Sequence, residues 1–425
     1  MYNSYSLFLY KIKRERFILY HDILILGGGA SGIMTSIIAK DRGLDVAIIE
    51  GNNRIGKKIL STGNGRCNIT NNKIEDSRYF SSNKNFYSKV LNEFSYDNFI
   101  EFLYSLGLPL IELENGKLYP MSLQSSSVLD VLRLALSERN IPIYLDQKIN
   151  SVYRKKDKFI LKDINNNILK CNKLVLSCGG KSAANTGSDG SGFSLAKSLG
   201  HSIIHPTPGL VQLKLKHPRL KALSGIKFNR NCRLYSNKSL LREEFGEILF
   251  TNYGISGPPI LQISSLASRC LCNKEDVSIV VDMFPNIEKK ALQDFLENHI
   301  GMFSYRSIHD SLVGILNKKL IPIILKECGI EDIHKPAFEL QWNEKNALLN
   351  VLKNWEFVVY DTNGFPNSQV TCGGVDTLQV NDNTLESKLV PNLYFTGEIL
   401  DVHGDCGGFN LQWAWSSGYA VGKNI

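Results

Sequence analysis

Two short apolar runs frame the first fifty residues. Ile23-Leu24-Ile25-Leu26 runs straight into Gly27-Gly28-Gly29-Ala30-Ser31-Gly32, and a second run, carried by Asp45 to Ile49, ends at Glu50. A continuous apolar run this short, bounded by glycine, reads as a strand buried on both faces of a parallel sheet. The segment between them, Ala30 to Arg42, reads as a helix that stops at Gly43. The opening is therefore strand, tight turn, helix, strand.

The same reading continues along the chain. A glycine- and asparagine-rich loop extends to about Asn72, followed by a helical segment from Asn85 to Leu106 and a hairpin around Leu113 to Tyr119. Val128 to Arg139 has apolar residues at helical spacing. Short strands follow at Ile143, Ile149–Val152, Phe159–Leu161 and Leu169–Cys171, and a buried strand, Leu174–Ser177, ends at Cys178-Gly179-Gly180. Residues 210 to 283 read as several strands with turns, a small β-barrel or sandwich. Residues 288 to 335 read as helices with breaks near Phe303 and Pro322. The first pattern resumes after Phe357, and a last strand, Leu393–Phe395, leads into Thr396-Gly397-Glu398. The predicted organisation is an α/β domain over 22–190 and 345–425, a β-barrel-like insert over 191–285 and a helical insert over 286–344, preceded by a basic extension at 1–21.

The opening turn has a specific chemistry. Gly27 permits the tight turn, Gly29 lets backbone approach a pyrophosphate, and Gly32 lets helix and strand pack closely. Ala30 and Ser31 begin a helix whose unpaired N–H groups and positive dipole end would face the phosphates. A carboxylate at Glu50 suits both hydroxyls of a ribose and repels a 2′-phosphate, which predicts FAD or NAD rather than NADP at this turn.

Composition narrows the class. The chain has 425 residues, 43% hydrophobic and 21% charged, as in an ordinary globular protein. No apolar stretch approaches the ~20 residues that span a bilayer, so no membrane role is expected. In residues 1–21 the charges follow the apolar part, the reverse of a signal peptide. Nine cysteines without framework spacing point to reduced thiols in a cytoplasm, and Cys270-x-Cys272 has no partner pair for a metal. The net charge of +8 is uneven: Lys214, Lys216, Arg219, Lys221, Lys227, Arg230, Arg233, Lys238 and Arg242 fall in a stretch without Asp or Glu. Such a run is either a solvated strand face or a patch for a phosphate backbone.

Further polar segments carry candidate chemistry. In GKKILSTGNGRCNITN (56–71), Lys57, Gly63, Asn64, Gly65, Arg66, Cys67 and Asn68 offer cations, amides and bare N–H groups, with Arg66 able to meet a phosphate or a flavin carbonyl edge. Gly179 and Gly180 sit at a strand's carboxyl end, where open α/β sheets bind ligands. Gly374, after Gly373, reads as a turn above a ring system. Gly397 and Glu398 follow the last strand, the carboxylate suited to a ribityl chain or an ordered water. Gly407 and Gly408 open a final helix through Phe409, Asn410 and Leu411, whose N-terminus would stabilise the negative charge of a reduced flavin.

Taken together, GGGASG (27–32), TGNGRCNITN (62–71), SCGGKSAANTGSDGSG (177–192), GEILFTNYGISGPPILQISS (246–265), VTCGGV (370–375) and GEILDVHGDCGGFNLQWAWSSGYAVG (397–422) resemble the BaiN/RdsA-like flavoprotein family. The resemblance spans nearly the whole chain from Asp22. It implies a Rossmann-like FAD-binding domain of the two-dinucleotide-binding type, interrupted by a β-barrel and a helical insert. It also implies an oxidoreductase linked to NAD(P)H that reduces a conjugated C=C bond, either in a 3-oxo steroid or in a uridine of large-subunit ribosomal RNA. Lys57 departs from the arginine frequent in the family, and the extension before Asp22 has no counterpart there.

Hydride delivery to such a bond leaves the neighbouring carbon needing a proton from a positioned acid. Cys406 is the first candidate and His403 the second. No second glycine turn with its own acidic partner and no CxxC pair is present, so NAD(P)H is expected as a transient reductant. Phe228 and Tyr235 among the cations of 214–242 favour ribosomal RNA as partner. The alternatives are a small enone, or a flavin-bearing sensor or RNA-binding factor without catalysis. Oligomeric state is not readable.

Overall fold

The computed structural model describes residues 9–10 and 18–425. The predicted extension lies partly outside them, at 1–8 and 11–17. Residues 18–21 instead begin the strand Ile18–Leu26. Its first half is held by the backbone ladder with Ile168–Cys171 while Ile18 and Tyr20 stay exposed, so hydrophobicity did not mark it.

Around this strand the chain builds one sheet. Val46–Ile49 and Ile168–Leu176 flank Ile18–Leu26 in parallel, and Ile143–Tyr144 and Leu9–Tyr10 extend one side. On its other edge Ile168–Leu176 serves two further partners. Its first half pairs antiparallel with Lys158–Asp163, which pairs in turn with Ile149–Lys155; its second half pairs parallel with Leu393–Phe395. The register sets Leu26 opposite both Ile49 and Leu176, and Leu176 opposite Phe395. Four parallel strands therefore end level, at the residues preceding Gly27, Glu50, Ser177 and Thr396. That common edge is where an open α/β sheet binds its ligand.

Two helices close one face of the sheet. Ala30–Asp41 and Phe409–Asn424 pack together because Gly418 and Gly422 lack side chains: a Cβ at Gly418 would lie 2.5 Å from the Ser31 carbonyl oxygen, and one at Gly422 2.9 Å from that of Thr35. Thr35 Oγ1 donates to the Gly418 carbonyl, and the Arg42 guanidinium to those of Gly422 and Ile425. Trp413 and Trp415 are buried, each with its indole N–H on a carbonyl, of Gly397 and Ile69 respectively. The helix expected over Asn85–Leu106 is two, Ser88–Glu93 and Tyr96–Ser105, because Ser95 caps the second by accepting from the Asn98 N–H.

Residues through Thr207 with Gln369–Ile425 form one compact unit, and Pro208–Ser368 a second. The second contains a closed six-stranded barrel of Leu213–Lys216, Lys227–Ser236, Ser239–Phe250, Gly254–Ser256, Val277–Asp282 and Trp355–Thr362. Two expectations change here. Pro258–Cys272, within the supposed all-strand stretch, is a helix, with Ile260, Ile263, Ala267 and Cys270 buried at spacings of three and four. Trp355–Thr362, assigned to the first domain, closes the barrel instead, so the helices of 289–353 interrupt the barrel rather than follow it. Its alternation of buried Trp355, Phe357 and Val359 with exposed Glu356, Val358 and Tyr360 announces a strand without naming its partner. No helix among the described residues is long and apolar enough to cross a membrane.

Candidate active site

The glycine turn shows why each glycine stands where it does. Gly27 takes φ +111°, and a Cβ there would lie 2.4 Å from the Ser177 carbonyl oxygen. A Cβ at Gly32 would lie 2.0 Å from the Gly27 carbonyl oxygen. Gly29 is the opposite case, with no atom within 4 Å of its Cβ position, so the helix start at Ala30 and Ser31 has open space before it. No acidic residue occupies that first turn. This is an anion cradle, and a pyrophosphate fits it.

Glu50 is buried at the end of its strand. Its Oε2 accepts from the Gly28 N–H at 2.8 Å, and its Oε1 from the Asn52 N–H and side-chain amide at 2.8 and 2.7 Å. The carboxylate thus braces the glycine turn. Removing it strands a buried Gly28 donor, which costs about 1–3 kcal/mol. Glu50→Ala is accordingly expected to lower the thermal midpoint and weaken FAD binding together, checked by thermal unfolding and a flavin titration.

Lys57 points elsewhere than expected: its ammonium donates to Asn52 Oδ1 at 3.0 Å, orienting the amide that binds Glu50. The cation among the strand ends is its neighbour Lys58, 2.5 Å from Glu398 Oε2. Glu398 Oε1 accepts from the Thr371 N–H, and Thr371 Oγ1 accepts from the Lys181 and Ser182 N–H groups. Gly180 packs against this pair, since a Cβ there would meet Thr371 Oγ1 at 2.3 Å. Gly179, at φ +71°, packs against Ser188 in the same manner. Gly397, at φ +74°, abuts Ser31, joining the last strand to the first helix. Lys58 escaped the sequence reading because its partner lies 340 residues away, and Thr371 because the N–H groups its hydroxyl accepts from lie 190 and 189 residues away.

The Gly63–Asn68 loop is a run of unusual backbone. Gly63, Asn64, Gly65 and Cys67 all have positive φ, and Asn64, Gly65 and Arg66 are exposed. The Arg66 guanidinium lies 5.3 Å from the Tyr119 ring centre. Asn68 Oδ1 is a buried oxygen without a hydrogen-bond partner, which suits a bound polar group. Cys67 packs within the loop, and burial pushes its thiol up to about 11.

Gly404–Gly408, from the opposite end of the chain, meets the short strand Thr70–Asn71 that follows this loop. Gly408 takes φ +99°, its Cβ position 2.5 Å from the Thr70 carbonyl oxygen. Cys406 is half-buried; burial chiefly raises its thiol pKa, Lys117 opposes the rise and Asp405 adds to it. Asp405 is buried and pairs with Arg78 at 3.3 Å. His403 lies buried, its ring stacked on Phe80 at 5.4 Å, so it packs the strand pair it belongs to. The side chains of three neighbours at the helix start serve the protein's own packing. Asn410 spends its amide on Gly404 N–H, Gly404 carbonyl and Asp405 carbonyl, stapling the loop. Phe409 is buried edge-on against Tyr79. Leu411 is partly buried against the apolar core. Gly373-Gly374 is no turn: both lie in the buried strand Val370–Val375, close to backbone at His205 and Ile399.

The basic run changes most in three dimensions. Lys214, Arg219, Lys227, Arg233 and Arg242 pair with Asp361, Glu327, Glu247, Asp282 and Glu244. Arg230 lies 5.8 Å from the Phe228 ring centre, and Lys216, Lys221 and Lys238 stay exposed. Five of the nine cations in a stretch free of acids in sequence are thus paired with carboxylates in space.

Known proteins resemble this chain along its full length. The 3-dehydro-bile acid delta(4,6)-reductase of Clostridium scindens is 39% identical over 402 residues, 94% of this chain and 97% of its own. The ribosomal RNA dihydrouridine synthase of Escherichia coli is 32% identical over 414 residues, 97% and 98% of the two chains. Among solved structures, the open conformation of a flavocytochrome c3 fumarate reductase aligns over 96% of this chain and 78% of that one, at 16% identity and a TM-score of 0.48. Residues 21–424 match the HI0933-like protein Rossmann domain, so the chain belongs to that family and has its Rossmann-like FAD-binding fold.

Proposed function

We propose that this protein is an FAD-dependent oxidoreductase that uses NAD(P)H to saturate an activated C=C bond, and that its substrate is a uridine of large-subunit ribosomal RNA. The observation that carries the reading is the meeting of the glycine turn at 27–32 with the segment from Gly397 onward. The open cradle before Ala30, the exposed Gly63–Arg66 loop and the Cys406 loop all belong to one unit and are joined through Gly397, Thr70 and Gly408. In this reading Ala30, Ser31 and Glu50 hold the pyrophosphate and ribose, Lys58 and Glu398 the middle of the cofactor, and Asn68 and the Phe409 helix start its ring system. FAD, when bound, supplies a hydride from N5 to the electron-poor carbon and is replenished from NAD(P)H.

The chain's own task is the proton. Cys406, kept protonated by burial, gives its Sγ proton to the carbon next to the one that receives hydride, and the thiolate regains a proton from solvent. Two hydrogens are added and the cysteine returns to its starting state. Lys216, Lys221 and Lys238 offer sequence-independent attraction to phosphate. A small conjugated enone is the second reading, favoured by the carboxylate pairing of the basic run and by the higher identity to a bile-acid reductase. Mass spectrometry of ribosomal RNA from cells lacking this gene separates them. RNA as substrate predicts loss of a two-hydrogen increment on one uracil; an unchanged spectrum, with purified protein reducing a 3-oxo steroid, gives the enone.

A further inference from the structure

Cys406 sits at the centre of a five-residue loop whose flanks are fastened from two directions. On the amino side, Asn410 binds Gly404 and Asp405, and Asp405 exchanges a backbone hydrogen bond and an ion pair with Arg78. On the carboxyl side the fastening comes from elsewhere in the chain. Asn71 Nδ2 donates to the Gly407 carbonyl at 2.9 Å and to the Asn115 carbonyl at 3.3 Å. Its Oδ1 accepts from the Lys73 N–H at 2.9 Å, fixing the amide's orientation. Asn71 is buried, and the pairing of Thr70–Asn71 with Lys117–Leu118 locks its backbone. One amide therefore ties the cysteine loop to the hairpin carrying Lys117 and Tyr119.

We propose that Asn71 is a positioning residue for the proton transfer, holding the Cys406 loop at a fixed distance from the hairpin that borders it. The proposal rests on the reading of Cys406 as the acid. No other side chain bonds Gly407 among the described residues, so loss of this amide leaves the Gly407 carbonyl unbonded beside Cys406, while Asn410 and Arg78 still hold the amino flank and Gly408 still abuts Thr70. A shift of about 1 Å at a reacting group can cost on the order of 10²-fold in rate. Charge is not the means, since the amide is neutral.

The test is a double-mutant cycle on the FAD-loaded full chain with Asn71→Ala, Cys406→Ala and both together. Three quantities are read: flavin reduction by NADPH, reoxidation of the reduced protein by unmodified ribosomal RNA transcript, and the limiting rate of Cys406 alkylation by iodoacetamide at alkaline pH. Asn71→Ala is expected to slow reoxidation about 10- to 100-fold, in keeping with a misplaced acid, and to speed Cys406 alkylation. Flavin reduction stays near wild type, and the double variant is no slower than Cys406→Ala. Unchanged alkylation, or a double variant slower than Cys406→Ala by the full Asn71→Ala factor, overturns the proposal. Reoxidation by Cys406→Ala at the wild-type rate would instead sink the acid reading, and alkylation would still report on Asn71. Should Asn71→Ala fail to fold, Asn71→Ser leaves a small neutral polar side chain too short to bridge Gly407 and Asn115, adds no charge, and the same outcomes decide.

Discussion

Gly32→Ala is expected to give a colourless chain of reduced stability. The added methyl would lie 2.0 Å from the Gly27 carbonyl oxygen and 2.7 Å from Ser177 Oγ, and the first of these is backbone that cannot swing aside. Ser177 Oγ already donates to the Leu26 and Gly27 carbonyls, so its neighbourhood has no slack. Overpacking of this kind typically costs about 1–3 kcal/mol. Relief requires the helix Ala30–Asp41 to move off the strand, which moves its N-terminus out of the cradle. Flavin absorbance of the purified protein and its unfolding midpoint check this. Gly43→Ala, with nothing within 4 Å but a φ of +82°, serves as a contrast, losing some stability while staying yellow.

The second large effect is at Cys406. Cys406→Ala is expected to keep its flavin and its reduction by NAD(P)H, and to lose about 10²-fold in transfer to the organic acceptor, the usual lower range for a general acid. The pH profile carries the sign. The acid must be protonated, and burial, with Asp405 adding and Lys117 opposing, raises the thiol above its ordinary value of about 8.5. Acceptor reduction in the wild-type protein should therefore stay level through the range where a free cysteine ionises and fall only above it. Stopped-flow reoxidation across pH measures both. A fall beginning near pH 7 would point to another acid, and an alanine variant as fast as wild type would remove Cys406 from the reaction.

Some of this was legible in a string of letters. The glycine turn and Glu50 interact across fewer than thirty residues, and their spacing is dictated by one turn, one helix and one strand. The fold class and family followed from that unit and from the GRCN and GGFNLQWAWSSG runs, and the match over residues 21–424 agrees. Roles within the runs were harder. Lys57 and Lys58 are adjacent in sequence, yet only Lys58 reaches Glu398, because the short helix Lys57–Ser61 turns successive side chains through about 100°. Asn410 resembled a ligand contact and is a loop staple, since nothing in its type distinguishes an amide that binds a cofactor from one that binds its own backbone.

Local order, then, was written in the chain: apolar runs make strands, glycines make turns where φ is positive, and an acid at the right interval reaches back to the glycine turn. Long-range pairing was not. Trp355–Thr362 closes a barrel begun at Leu213 more than a hundred residues earlier, and Glu327, Asp361 and Asp282 cancel cations with which they share no neighbourhood in sequence. Periodicity tells a strand which face is buried but not beside which strand it lies, and a run of lysines and arginines reports its own charge without the carboxylates that folding brings against it.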